Sequence, residues 1–331
     1  MNQEPLNFSY TDALQLHHII QTQQFDLDTI FHYIFPLADH MKMIVETGGA
    51  NYLAGKNAIV WFEQPSTRTH VSFIAAFKFM GGKIMFSTEN AAQFSSKFKG
   101  ESTADTFKIL SGYNPDIIIS RFIKAGDALT VALSSAVPII NAGDGDNQHP
   151  TQALLDLYTI YKKFGRVNHT NIALVGDLLH GRTIRSLAYL FGKFSDIRLS
   201  LVSTPALRIN KDIKDYLTKH SIDWSEHTDL LRIASQMDVL YMTRIQAEQG
   251  SSIEEKDKEP GRFSIDAEVL RLLPQQSIIM HPLPRLWEIP EYVDNDPRAH
   301  YFIQAQNGLY IRMALLLMVL RPDLVPQIIK N

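Results

Sequence analysis

The chain has 331 residues, 45% hydrophobic and 20% charged, which allows two cores of about 150 residues each and excludes a minimal module, wholesale disorder and a fibrous chain. Lys and Arg number 32 against 35 Asp and Glu, a net charge of −3, so no global basic field favours nucleic acid or anionic lipid and any anion site must be built locally. Cysteine is absent, which excludes disulfides, thiolate metal sites and thiol nucleophiles and fits a reducing compartment, the cytoplasm by default.

The opening stretch MNQEPLNFSY has no basic region ahead of an apolar core, and no targeting signal is expected from it. The longest apolar run, 314–320, is far short of the roughly 18 residues needed to cross a bilayer, so no membrane span is expected. Short β-branched or aromatic runs follow at 57–62, 83–87, 116–120, 137–141, 171–175, 197–202, 238–242 and 277–280, and most read as buried parallel strands. Helical patterns lie at about 68–80, 101–112, 126–136, 149–164, 182–194, 210–219, 229–236 and 307–320. Several end on glycine, as at Gly81, Gly165 and Gly192, where a left-handed cap or a turn needs no β-carbon. Such alternation predicts an α/β chain with right-handed crossovers. The turn-rich stretch NAGDGDNQHP divides the strands four and four and places a boundary near Pro150. The expectation is two doubly wound parallel-sheet domains with the active site in the cleft between them: residues 1–150, and residues 151–304. The last helix is too apolar to stand exposed; which domain it covers, periodicity leaves open.

Five clusters carry chemistry. Ser66-Thr67-Arg68-Thr69 directly follows the strand at 57–62 and opens a helix, where free backbone N–H groups and the positive dipole end make an anion pocket. Ser66 or Thr67 alone would read as a helix cap; the arginine between hydroxyls points to phosphate. Asn147-Gln148-His149-Pro150-Thr151-Gln152 stands at the boundary, where His149 could donate to a carbonyl or oxyanion, although a lone histidine is more often structural. In Gly176–Thr183 the dinucleotide pattern G-x-G-x-x-G is missing, but Arg182 at a helix start opposes the dipole and is better explained by an anion held nearby. Arg244 follows an apolar strand at the ligand-binding edge, where a surface arginine is the plainer reading. His281-Pro282-Leu283-Pro284-Arg285 is either a stiff turn or a loop whose carbonyls are available to accept from an amine. No metal site is expected, since H-E-x-x-H and thiolates are missing and the histidines are scattered. Arg68, Arg121, Arg182 and Arg244 form a cationic set suited to two small polyanions. With no serine triad or paired catalytic acids, catalysis would rest on positioning and electrostatics.

From about residue 55 to 320 the sequence resembles the aspartate/ornithine carbamoyltransferase family. The motifs are STRT at 66–69, KGES-x-ADT at 99–106, NAGDG-x-NQHPTQ-x-LLDL at 141–157, GD-x-x-x-GRT at 176–183, YMTR-x-Q at 241–246 and HPLPR at 281–285. HPLPR is similar to the aspartate branch, because the ornithine branch carries a cysteine there. The resemblance implies transfer of the carbamoyl group of carbamoyl phosphate to the α-amine of L-aspartate, giving N-carbamoyl-L-aspartate and phosphate in pyrimidine synthesis, with no cofactor. It implies that Ser66, Thr67, Arg68, Thr69 and Arg121 hold the phosphate, joined by Ser95 and Lys99 from a neighbouring subunit, so that the active unit is a homotrimer. Thr69, Arg121 and His149 would stabilise the oxyanion, and Gln152 with the carbonyls of Leu283 and Pro284 would hold the substrate amine. Arg182, Thr183, Arg244 and Gln246, with Lys99, would grip the carboxylates of aspartate. In the family the last helix, here 305–331, returns to the first domain. The resemblance leaves room for regulatory chains.

Departures from the family pattern cluster around domain closure. Gln64 and Gln249 are neutral where the family has a Glu–Arg ion pair bracing the closed domains, so closure is expected to depend less on that pair. His70 replaces an arginine, Leu179-His180 a lysine-tyrosine pair, and Leu286-Trp287 stands where an aspartate follows HPLPR. The alternatives are a carbamoyltransferase for another amine, a non-catalytic homologue, which should have lost some of Arg68, Lys99, Arg121, His149 or Arg244, and, least supported, a dehydrogenase.

Overall fold

A computed structural model describes residues 17–95, 99–244 and 262–330. The strands are β1 (Asn57–Phe62), β2 (Lys83–Thr88), β3 (Ile117–Phe122), β4 (Ile139–Asp144), β5 (Thr170–Val175), β6 (Ile197–Val202), β7 (Asp223–His227), β8 (Val239–Met242) and β9 (Ile278–Met280). The helices are α1 (Leu27–Thr29), α2 (Phe35–Glu46), α3 (Thr67–Phe79), α4 (Ala91–Phe94), α5 (Thr103–Gly112), α6 (Asp127–Ser134), α7 (Pro150–Phe164), α8 (Arg182–Phe191), α9 (Lys211–Lys219), α10 (Ala267–Leu272), α11 (Tyr301–Leu320) and α12 (Val325–Ile329). The strands form two sheets, ordered β2-β1-β3-β4 and β7-β6-β5-β8-β9, in which every pairing is parallel. Two α/β layers of this kind follow from hydrophobic runs that must be covered on both faces.

The chain divides into two compact units, Met1–Thr151 with Leu309–Asn331, and Gln152–Gly308. In unit 1 all six residues of β3 are buried, and a core of Ile59, Trp61, Phe107, Ile118, Phe122 and Val131 lies on one face of the sheet. Ile19 bridges in parallel to Ile140, so the segment before α1 extends the sheet beyond β4. From Leu309 onward α11 belongs to unit 1, and it is buried at Ile311, Leu315, Leu316 and Met318. There Arg312 donates to Ser72 at 2.8 Å and lies over the Phe73 ring. The length and apolarity of α11 would suit a membrane span, but 67% of that stretch is buried inside the protein, as a core helix requires. In unit 2, Val175, Leu240, Met242, Phe263, Ile279 and Tyr301 belong to one core cluster.

Several elements differ from expectation. The residues 229–236 are turns ending in a 3-10 turn, Ala234–Gln236, rather than a helix. β7 was not expected, because DWSEH has one apolar residue; its partner strand β6 supplies the pairing. Neither were α10 and the helical course from α1 through a π turn at Ile30–Ile34 into α2. The last long helix begins at Tyr301, six residues before Asn307. Gly81 and Gly165 do adopt positive φ, 79° and 69°. Gly192 does not, having φ −61°; a β-carbon there would lie 2.3 Å from the Tyr216 ring, so it is glycine for close packing.

Candidate active site

In unit 1, strand register brings the expected phosphate-binding residues to one edge. Phe62 pairs with Arg121 and Phe122 with Asp144, so the carboxyl ends of β1, β3 and β4 lie side by side. Ser66 is the N-cap of α3, with φ −161° and ψ 74°, and its side chain makes no capping bond. The reading of Ser66 as a side-chain cap therefore does not hold, and its hydroxyl is not spent on the helix. Thr67 donates to Glu89 Oε1 at 3.4 Å, Arg68 is exposed, and Thr69 is buried at 7% exposure. Arg121 is nearly buried on β3, and its Nη1 donates to the Ala142 carbonyl at 3.2 Å. The Glu63 carboxylate accepts from Ile123 N–H at 3.1 Å, while its own N–H donates to the Arg121 carbonyl at 2.9 Å, fixing the β1–β3 strand ends.

The loop that delivers His149 is organised by a buried carboxylate. Asp144 accepts from Gly126 N–H, Gln148 N–H, Asn141 Nδ2 and Asn147 Nδ2, all between 2.9 and 3.0 Å. Burial pushes its carboxyl above the usual range, against the pull of those four donors. His149, 3% exposed, follows this turn and precedes Pro150 at the first position of α7. Ser95, which donates to the Ala91 carbonyl, and Lys99, which is exposed, lie on the segment between β2 and α5.

In unit 2 the ends of β5 and β8 are held in close approach. Gly176 has φ 115°, and a β-carbon on it would meet the Thr243 carbonyl oxygen at 2.3 Å. Thr243 donates to the Val175 carbonyl through N–H at 2.8 Å and through Oγ1 at 2.9 Å. This sets Arg244, half-buried, beside the turn that leads to Arg182 and Thr183, the first two residues of α8. Asp177, fully buried, accepts from His180 N–H at 3.0 Å and contacts His180 Nδ1 at 3.1 Å. Gly181 caps α8 without a side chain, leaving that helix start to its backbone amides. Gln246 and Gln249 lie outside the described residues.

The HPLPR loop is braced from below. Leu283 N–H donates to His281 Nδ1 at 2.7 Å, which makes Nδ1 the acceptor and leaves Nε2–H to donate to Glu288 Oε1 at 2.9 Å. Burial opposes ionisation of Glu288, yet the bonds from His281 and Leu286 N–H outweigh it and hold the carboxyl below its ordinary range. Leu283 has φ +58°, an uncommon conformation for leucine that turns the loop sharply and is of the kind that stores strain at working sites. Arg285 is engaged by Asp294 through both guanidinium ends, by the Tyr301 hydroxyl at 2.8 Å and by the Phe302 ring, so it anchors the loop.

Residues 17–162 match the family description "Aspartate/ornithine carbamoyltransferase, carbamoyl-P binding domain", and residues 168–319 match "Aspartate/ornithine carbamoyltransferase, Asp/Orn binding domain". The chain belongs to the aspartate/ornithine carbamoyltransferase family. It is 46% identical over 316 residues to the chloroplastic aspartate carbamoyltransferase of Oryza sativa subsp. japonica, covering 93% of this chain and 86% of that protein. The solved catalytic subunit of the Methanocaldococcus jannaschii enzyme superposes with TM-score 0.83 at 40% identity, covering 93% of this chain and 99% of that one. The aspartate transcarbamoylase of Trypanosoma cruzi, solved with N-(phosphonacetyl)-L-aspartic acid, gives TM-score 0.86 at 34% identity, over 93% and 97%.

Two departures from the family pattern, His70 and His180, have local partners. His70 is buried edge-on against Phe62, with Nδ1 3.8 Å from Glu89 Oε2, and burial lowers its basicity despite that carboxylate. His180 is held by Asp177, and Leu286 and Trp287 are exposed. Sequence reading missed the organising acids Asp144 and Asp177 and a buried cluster on Asp156, whose partners are distant along the chain.

Proposed function

We infer that this chain is an aspartate carbamoyltransferase: it transfers the carbamoyl group of carbamoyl phosphate to L-aspartate in pyrimidine synthesis. The observation that carries the substrate choice is the approach of Gly176 to Thr243, which brings the turn leading to Arg182 at the start of α8 against the strand end that precedes Arg244. Two guanidiniums suit a substrate with two carboxylates, whereas ornithine has one. Ser66, Thr67, Arg68 and Thr69 at the start of α3, with Arg121, bind the phosphate. Thr69, Arg121 and His149 polarise the carbonyl. Gln152 and the carbonyls of Leu283 and Pro284 hold the amine, while Arg182, Thr183, Arg244 and Gln246 take the carboxylates.

The α-amine attacks the carbonyl carbon, forming a C–N bond and an oxyanion that faces Thr69, Arg121 and His149. Collapse breaks the bond from carbon to the phosphate oxygen, and the leaving phosphate accepts the amine proton. Preorganised donors at the oxyanion make such a step fast, each contributing roughly 10²–10³ in kcat. Ser95 and Lys99 of a neighbouring copy complete the phosphate site, which makes a homotrimer the active unit. Support comes from the exposure of Lys99 and of Met85 and Phe86 on the edge strand β2. The cytoplasm is the compartment favoured by the absence of cysteine, although the rice relative is named chloroplastic. A bisubstrate compound joining a phosphonate to aspartate should raise the thermal midpoint of the protein, and Arg68→Ala should abolish that rise. A rise that survives Arg68→Ala would remove the phosphate site from this location.

A further inference from the structure

Asp156 lies on α7, is fully buried, and gathers three donors on one carboxylate. Gln152 Nε2 donates to Oδ1 at 2.9 Å, Gln304 Nε2 to the same oxygen at 2.6 Å, and the Tyr241 hydroxyl to Oδ2 at 2.7 Å. Each donor leads to a different part of the proposed aspartate site. Gln152 is the proposed amine acceptor. Tyr241 precedes Thr243-Arg244 on β8 and shares a side-chain hydrogen bond with Thr183. Gln304 uses its Oε1 to accept from His281 N–H at 2.8 Å, at the base of the HPLPR loop.

We propose that Asp156 is a positioning residue that sets the sense of the Gln152 amide. A carboxylate accepts and cannot donate, so it binds the NH₂ end of the amide and directs the carbonyl oxygen away. That oxygen is the end an attacking amine requires; a reversed amide would oppose one donor with another. The same carboxylate, through Tyr241 and Gln304, ties the strand end before Arg244 and the loop at Leu283 to this one point. Sharing among three donors also explains how a charge is kept in the interior of unit 2. The inference rests on the proposed carbamoyl transfer to aspartate.

The test compares the wild-type chain with Asp156→Asn, Gln152→Ala and the double variant, measuring kcat/KM for L-aspartate and the affinity for inorganic phosphate. Asp156→Asn should lower kcat/KM for aspartate about 100-fold while changing phosphate affinity less than about threefold, and the double variant should be little worse than the poorer single one. Because Asp156→Asn removes a buried charge, a second variant, Asp156→Asn with Gln304→Glu, keeps one carboxylate in the cluster. It should fold with a thermal midpoint near wild type yet keep the loss of about 100-fold in kcat/KM for aspartate. Gln152 and Gln304 share one oxygen of Asp156, so the NH₂ group drawn to the new carboxylate at position 304 also faces Gln152, which must turn its carbonyl oxygen towards it. Additive losses in the cycle, or a charge-shifted variant that recovers kcat/KM for aspartate, would overturn the proposal. A wild-type chain without aspartate-dependent turnover would instead overturn the functional reading on which it rests.

Discussion

The backbone carbonyl of Thr243 lies 2.3 Å from the point a β-carbon on Gly176 would occupy, and glycine is what lets the ends of β5 and β8 meet. Gly176→Ala must therefore both adopt a φ near 115° and push Thr243 away. Backbone strain of this kind costs about 1–3 kcal/mol, so the thermal midpoint should fall by roughly 5 °C. Aspartate KM should rise while phosphate affinity holds. An unchanged aspartate KM would separate Arg244 from the site.

His149→Ala should lower kcat by about 10²–10³, the usual cost of losing one oxyanion donor, with carbamoyl phosphate still bound. Equilibrium binding beside steady-state kinetics checks this. Equal losses in binding and turnover would give His149 a role in ground-state binding.

Much of this arrangement is legible in the sequence, and the reasons are physical. Runs such as 57–62 and 171–175 are apolar along their length because a parallel strand is covered on both faces, and the glycine and hydroxyl residues after them mark strand-to-helix turns. β7 is not legible, since an edge strand with one covered face needs little apolar surface. The course from α1 to α2 hides because Pro36 breaks the pattern, and the chain absorbs it at the second position of α2, directly after a π turn. Ser66 and Arg68 are legible as a local motif. The Asp156 cluster is not, because Tyr241 is 85 positions away and Gln304 is 148.

The segment leading into α1 should loosen in acid. His18 Nδ1 accepts from Ile139 N–H at 3.0 Å, and burial, reinforced by His17, lowers its pKa to about 4 from an ordinary 6.5. An unfolded chain takes up this proton between those values and the folded chain does not. The contribution of His18 is therefore complete above pH 6.5 and is lost as pH falls towards 4. The thermal midpoint of the wild type should decline over this range more steeply than that of His18→Gln; parallel profiles would refute the assignment.

Glu288 works in the next range down. Its carboxyl is held below the ordinary 4.5, so its stabilising effect is present above that value and disappears as pH falls through the lowered one. Glu288→Gln should lower the midpoint at neutral pH, and the gap from wild type should close as pH falls through the lowered value. A gap independent of pH would mean that packing, not the His281–Glu288 bond, is responsible.

A site shared between copies can be tested by mixing. Lys99→Ala and Arg121→Ala should each be nearly inactive alone, and dissociating and reassembling them together should restore up to about a third of wild-type activity if one intact site forms per trimer. No recovery from verified mixed assemblies would confine each site to one chain.

Aspartate-dependent turnover is the most direct measurement. Purified protein with carbamoyl phosphate should release phosphate and form N-carbamoyl-L-aspartate with L-aspartate, and do neither with L-ornithine or with no amine. Turnover with ornithine, or with neither amine, would contradict the assignment of Arg182 and Arg244 to a dicarboxylate substrate.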